Sequence, residues 1–92
     1  MNIGKKIKYL NNSIQDENLK INDLYKQIDE YEAIIELIDK SNSIGNKKDY
    51  RQKIEQCHVE IEKSIEKIQS MKNQIALIEM DNEDAERGEK CA

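Results

Sequence analysis

The sequence predicts an all-α protein: an antiparallel helical hairpin of two long helices with coiled-coil packing. Three observations predict it. Apolar residues recur at alternating steps of three and four over residues 3–38 and again over residues 50–78, which is the 3.5-residue period of a left-handed coiled coil. A run of turn-forming residues separates the two stretches. The two ends of the chain carry charges of opposite sign, which favours a chain that folds back on itself.

The heptad positions follow if Ile7 is taken as a, because every a position from 7 to 35 and from 54 to 75 is then isoleucine, whereas the d positions vary. The a and d positions of the first stretch are Ile3, Ile7, Leu10, Ile14, Glu17, Ile21, Leu24, Ile28, Tyr31, Ile35 and Ile38. Those of the second are Tyr50, Ile54, Cys57, Ile61, Ser64, Ile68, Met71, Ile75 and Ile78. This seam uses most of the apolar side chains, so few are left to line a pocket.

The boundaries follow from the helix-breaking residues. Gly45 lies within residues 41–46, where every residue except Ile44 is Ser, Asn or Gly, the types that compete with helical hydrogen bonding or tolerate left-handed geometry. We expect one helix over about 2–41, a turn at 41–46 and a second helix over about 47–83, which together form one hairpin domain (1–83). Asn46 is suited to cap the second helix, with Asp49 in its first turn. Residues 84–92 are expected to form a frayed acidic tail.

Charge selects the antiparallel topology. The first ten residues contain three lysines and no acid: Lys5, Lys6 and Lys8. The segment from Glu79 to Lys90 has six acids and two bases. A parallel pair of chains would bring like charges together at both ends, and a hairpin places opposite charges side by side.

Side-chain volume predicts the register of the hairpin. If facing residues have numbers that add to about 88, Tyr31 faces Cys57 and Leu24 faces Ser64. Each large side chain then lies opposite a small one.

A lone two-helix hairpin covers its seam thinly, so we expect it to dimerise into a four-helix bundle. Apolar residues outside the seam are available for such contacts. The residues expected to bind protein, in a second copy or in a larger partner, are Tyr25, Ile34, Leu37 and Ile65.

Catalytic and metal-binding constellations are not expected. Cys57 and His58 are adjacent, so on a helix their side chains point about 100° apart and do not share a site. Glu17 occupies a d position, where a polar residue is tolerated near water or fixes the register. We therefore expect no enzyme activity, no metal and no cofactor.

Two further functions remain open from the sequence. The basic residues near the predicted turn could contact phosphates in a nucleic-acid-binding, RNA-regulating hairpin, although acids along both helices count against it. These candidate nucleic-acid-binding residues are Lys47, Lys48, Arg51 and Lys53. The other alternative is an oligomer that sequesters a small ligand between hairpins.

The leading expectation is a non-catalytic protein–protein interaction module whose partners are itself or a larger protein. No apolar run approaches the roughly 18–20 residues that cross a bilayer, so we expect a cytoplasmic protein without a membrane partner. The composition, rich in Ile, Lys and Asn, is typical of an AT-rich bacterial or phage genome. An inhibitor or regulator encoded by a phage or mobile element fits these features.

Overall fold

Two long helices pack along each other to form a rod. The computed structural model describes residues 2–41 and 46–91, and for residues 82–91 it describes the backbone only. Within these ranges the chain forms α1 (Ile3–Lys40) and α2 (Lys47–Cys91), and the rod measures 77 × 17 × 16 Å. The predicted all-α fold with two packed helices is confirmed. The predicted turn falls largely on residues 42–45, which lie outside the described residues.

Three of the helix ends have clear local causes. Asn2 caps α1, since its side-chain oxygen accepts a hydrogen bond from the amide of Gly4 at 2.9 Å. At the other end of α1, the Ser41 amide donates to the carbonyl of Leu37 at 3.0 Å. The second helix opens where the Tyr50 amide donates to the carbonyl of Asn46 at 3.2 Å. Asn46 therefore occupies the predicted capping position.

The end of α2 differs from the sequence prediction. The helix was expected to stop near residue 83, with a frayed tail beyond it, and instead it continues to Cys91. Glu83, Ala85 and Glu86 are good or acceptable helix formers, and Gly88 alone costs about 1 kcal/mol relative to alanine. That cost does not end a helix whose neighbouring residues propagate it.

The predicted seam lies between the helices. From Ile7 onwards, every residue assigned to an a or d position in either helix is buried or half-buried. Ile3, next to the N-cap, is the exception at 46% exposed. Among the described side chains, the buried residues are Leu10, Leu24, Ile28, Cys57, Ile61, Ser64 and Ile68.

Contacts between the helices establish their antiparallel direction and their register. Along the rod, Asp39 pairs with Lys47, Gln27 approaches Cys57 and Glu17 approaches Lys67. The two residue numbers add to 84 in the second and third of these contacts, and to 84 again where Lys53 lies over the ring of Tyr31. The predicted register of 88 is therefore wrong by about one helical turn.

The physical reason for this difference is the way an antiparallel pair layers its seam. In the observed register, Ile28 is level with Cys57 and Leu24 with Ile61, and all four side chains belong to one buried cluster. Each layer thus combines an a residue with a d residue of the other helix. A register of 88 pairs d with d, whereas in the observed register an a-position isoleucine already compensates for a small d residue.

The predicted attraction between the ends of the chain stays a prediction. Of the acids between Glu79 and Lys90, only Glu79 and Asp81 have described side chains.

Candidate protein-interaction surfaces

The seam has two chemically different sides. At about 100° per residue, e positions lie beside a and g positions lie beside d, and antiparallel pairing brings e towards e and g towards g. We call the side formed by the a and e positions the isoleucine flank. It carries Tyr25, His58, Ile65 and Lys72 at e. We call the side formed by the d and g positions the polar flank.

Side chains from g positions cover the polar flank. Lys67 Nζ lies 3.9 Å from Glu17 Oε1. Cys57 Sγ lies 4.0 Å from Gln27 Oε1, a long contact for a thiol donor. Each contact joins a g residue of one helix to a d residue of the other, so this side of the seam is occupied by the chain's own polar groups.

An aromatic cluster extends the polar flank towards the tip, the end of the rod where α1 ends and α2 begins. The rings of Tyr31 and Tyr50 have centroids 5.9 Å apart and are tilted by 41°. Lys53 Nζ lies 5.7 Å from the Tyr31 centroid and 5.2 Å from the Tyr50 centroid. A cation at such distances gains about 0.5–1 kcal/mol at an exposed site, so Lys53 has a structural role.

The basic tip is therefore partly engaged within the hairpin. Lys47 forms an ion pair with Asp39, and Lys53 lies over the two tyrosine rings. Of the four candidate nucleic-acid-binding residues, Lys48 and Arg51 are the ones that project as exposed side chains without a role in these contacts. The arrangement is less suited to a phosphate-binding patch than the sequence alone indicated.

Two polar groups interrupt the core on the polar flank. Ser64 is 1% exposed and its Oγ has no hydrogen-bond partner among the described residues. Glu17 is half-buried at its d position, and its Oε2 also lacks a partner within the described part of the chain. A buried polar atom without a partner costs roughly 1–3 kcal/mol, so both residues destabilise this stretch of the seam.

The isoleucine flank is more open. Among the side chains of residues 2–41 and 46–81, the Asp39–Lys47 ion pair at the tip is the only polar contact between helices on this side. Tyr25 is 49% exposed and Ile65 is 51% exposed. The half-buried a-position residues beside them are Ile7, Ile14, Ile21, Ile35, Ile54 and Ile75. The flank is therefore an apolar strip that the hairpin covers incompletely.

The four predicted protein-binding residues do not form a single surface. Tyr25 and Ile65 share the isoleucine flank. Ile34 is a half-buried g residue, and Leu37, at c, is 66% exposed. These two lie on the polar side of the rod near the tip. Their role in binding stays a prediction, now divided between two places.

Sequence reasoning missed a second apolar pair at the open end of the rod, opposite the tip. Tyr9 is 68% exposed and Leu77 is 60% exposed. Both occupy c positions, and the observed register makes them level with each other. The heptad pattern gives both c positions, but only the register shows that the two residues lie at the same level of the rod.

Cys57 behaves as a core residue. It is 5% exposed, as its seam position predicted. Burial, followed by the nearby charge of Glu60, raises the pKa of its thiol. Among the described residues, no group of three or more His, Cys, Asp or Glu side chains is placed to hold a metal ion.

The Cys57 thiol is expected to react slowly with a soluble disulfide reagent in the folded protein. Burial restricts access, and the raised pKa lowers the thiolate fraction. A Cys91→Ser variant leaves one thiol to follow by absorbance. We expect a labelling rate at least about tenfold below that of the same protein in denaturant.

The raised pKa of the Cys57 thiol also makes the stability of the folded protein depend on pH. The stabilising effect of keeping this thiol neutral is fully present below the unfolded pKa of about 8.5. It is lost as the pH rises through the higher folded value, because only the unfolded chain ionises at first.

In the labelling experiment, a reaction of Cys57 that is as fast in the native protein as in the unfolded protein would contradict the buried placement of Cys57.

Comparisons with family models, curated proteins and solved structures find no match for this chain. Neither described helix has a stretch long and apolar enough to cross a lipid bilayer. The described residues form no pocket. The two flanks are therefore the candidate functional surfaces among the described residues.

Proposed function

We propose that this protein is a non-catalytic protein–protein interaction module that packs further helices against its hairpin. The first such partner is a second copy, giving a four-helix bundle. In this proposal the assembled bundle acts in the bacterial cytoplasm as an inhibitor or regulator of a larger protein and is encoded by a phage or mobile element. The observation that carries it is the half-exposed pair Tyr25 and Ile65 on the incompletely covered isoleucine flank.

The energetic support comes from that incomplete coverage. Burying apolar surface contributes about 25 cal/mol per Å², or 1.5–3 kcal/mol for a whole isoleucine side chain. Six a-position isoleucines are only half-buried in the hairpin. Further helices laid along this flank would gain on the order of 1 kcal/mol from each of them. The seam alone does not provide this stabilisation.

A larger partner has a separate place to bind. Ile34 and Leu37 lie towards the tip on the other side of the rod, so a bundle formed through the isoleucine flank leaves them accessible. Leu37 projects with 66% of its surface exposed. We propose this tip region as the contact with a larger protein, most simply with an apolar helix.

The test of self-association is the substitution Ile65→Asp. A charge at this position must be desolvated in any interface that covers it, so the dimer is expected to weaken at least about a hundredfold, or roughly 3 kcal/mol. Analytical ultracentrifugation over a range of concentrations measures this change. Circular dichroism of the same samples establishes that the helices remain folded.

Val59→Asp is the matched control. Val59 lies in the same helix and is 38% exposed at an f position, away from both flanks. We expect this variant to dimerise like the parent protein. A parent protein that stays monomeric up to about 100 µM, a concentration that populates even weak specific dimers, would contradict self-association.

A further inference from the structure

The exposed apolar pair lies at the middle of the stretch over which α1 and α2 run side by side. The centre of α1 (Ile3–Lys40) falls at residues 21 and 22. In the observed register Ile65 is level with residues 19 and 20 of α1. Tyr25 and Ile65 therefore lie on either side of the midpoint, about 8 Å apart along the axis. A two-fold axis through the midpoint would bring the Tyr25–Ile65 pair of one copy against the Tyr25–Ile65 pair of the other.

Charge is distributed unevenly along the isoleucine flank. The positions that face outwards on this side are e and b. In the tip half, five of them are acidic and two are basic: Asp29, Glu32, Glu36, Asp39 and Glu55, with Lys48 and Arg51. In the open half, two are basic and one is acidic: Lys8 and Lys72, with Glu79. Glu62 lies near the midpoint.

Internal ion pairs reduce this asymmetry without removing it. Glu36 lies 3.2 Å from Lys40, and Asp39 pairs with Lys47. Counting both lysines, the tip half keeps a net negative charge and the open half a net positive one. The tip half of this flank is therefore complementary in charge to the open half. Two tip halves, or two open halves, would repel each other.

We infer that the second copy lies antiparallel along the isoleucine flank, related by a two-fold axis that crosses the rod at its midpoint between Tyr25 and Ile65. This inference rests on the proposed self-association and specifies its geometry. The acidic tip half of each copy then faces the more basic open half of the other. A parallel arrangement would place the two acidic halves together.

The inferred geometry makes specific pairs. The rotation lays α1 against α1 and α2 against α2, with facing residue numbers adding to about 44 in α1 and, in the observed register, about 124 in α2. Three pairs of opposite charge then face each other to within one helical turn: Lys8 with Glu36, Glu55 with Lys72 and Lys48 with Glu79. Each pair occurs twice by symmetry.

The area of the interface favours full overlap. A strip about 10 Å wide along a 38-residue helix would bury roughly 1,100 Å² over both copies, near the lower limit for a stable complex. A staggered arrangement would bury less. An apolar centre at mid-rod is what a fully overlapping dimer needs.

The polar flank is the alternative face for a second copy, and it is less suitable. Its centre carries Lys20, Glu60 and Lys67, and the last of these already approaches Glu17. Packing a second rod there would desolvate these charges and displace an existing contact. At the centre of the isoleucine flank Glu62 is the one charged residue at an outward-facing position, so packing a second copy there desolvates fewer charges than on the polar flank.

The first test reverses charges in one inferred pair. Glu55→Lys and Lys72→Glu are each expected to weaken the dimer about five- to thirtyfold at low salt, because each removes two exposed ion pairs and creates repulsions. The double variant is expected to restore the affinity. Within one hairpin the two residues lie about 25 Å apart on the same helix, so this rescue can arise only between copies.

The second test is oxidation of Asn22→Cys in a Cys91→Ser background. Asn22 is exposed at a b position next to the inferred axis, so the two introduced thiols should form a covalent dimer, visible on non-reducing gels. Asn12→Cys, at an exposed f position, is the control and should remain uncrosslinked. In a parallel dimer the two thiols at position 22 lie on different helices across the bundle, too far apart for a disulfide.

The outcomes separate the two proposals. A monomeric parent protein would overturn both self-association and this geometry. A dimer that Glu55→Lys strengthens, or that gives no covalent product at position 22, would overturn the antiparallel geometry and leave the interaction module intact. Circular dichroism melts of all variants confirm that folding is unchanged at these exposed sites.

Discussion

Replacing Ile61 with alanine is expected to lower the free energy of unfolding by about 3 kcal/mol, within the range of 2–5 kcal/mol for such core truncations. Ile61 is 3% exposed and packs in a cluster with Leu24, Ile28 and Cys57. The truncation removes the burial of three carbons and leaves a cavity that two rigid helices cannot readily close. Urea denaturation followed by circular dichroism, at one fixed protein concentration, measures the change.

Ile3→Ala is the control because it makes the same chemical change. Ile3 is 46% exposed beside the N-cap, so its truncation should cost no more than about 0.5 kcal/mol. Equal losses at the two positions would show that the seam does not provide the stability of the rod.

The effect at Ile61 is large because a two-helix rod has few fully covered side chains. Within the described part of the chain six apolar residues are buried: Leu10, Leu24, Ile28, Cys57, Ile61 and Ile68. In a globular core, many neighbouring side chains can shift to fill the space that one truncated side chain leaves. In this rod, Ile61 has core neighbours only in its own layer and in the adjacent layers of the seam. The same thinness is the reason that a second copy has something to stabilise.

The sequence was sufficient for the fold because each helix repeats its pattern many times. One misplaced residue cannot obscure an a row composed only of isoleucine, and Ser41 and Asn46 frame the break between the helices. The register was harder to predict. Sliding one helix by a turn changes which residues meet and keeps the pattern intact, so volume matching at Cys57 and Ser64 chose the wrong alignment.

The candidate surface was predictable only in part, for a related reason. Tyr25 and Ile65 could be identified as apolar residues outside the seam. Which side of the seam remains uncovered depends on the conformations of the long polar side chains. Lys53 lies over two tyrosine rings and Lys67 reaches Glu17, and these conformations cover the polar flank. Heptad positions do not determine these side-chain conformations. They follow from the register and from which of several possible contacts each lysine makes.

Replacing Glu17 with leucine is expected to raise the free energy of unfolding by about 2 kcal/mol, since it removes an unsatisfied buried oxygen and adds apolar burial. Glu17 Oε1 lies 3.9 Å from Lys67 Nζ, whose side chain is 61% exposed, so this ion pair returns little of the cost. Thermal and urea denaturation measure the gain. Glu17→Gln is the control, since it keeps the size and polarity of the side chain and should shift stability by less than about 1 kcal/mol.

The gain in stability at Glu17 is expected to reduce the uniqueness of the register. With leucine at position 17 every d position of α1 is apolar or aromatic, and a slip by one heptad would again align isoleucine rows without burying a carboxylate. A single polar seam residue is a known means of excluding such alternatives at some cost in stability. Amide spectra should therefore show one set of resonances for the parent protein and additional sets for Glu17→Leu. A variant that is more stable and equally uniform would mean that Glu17 has no part in setting the register, and that its cost serves another contact.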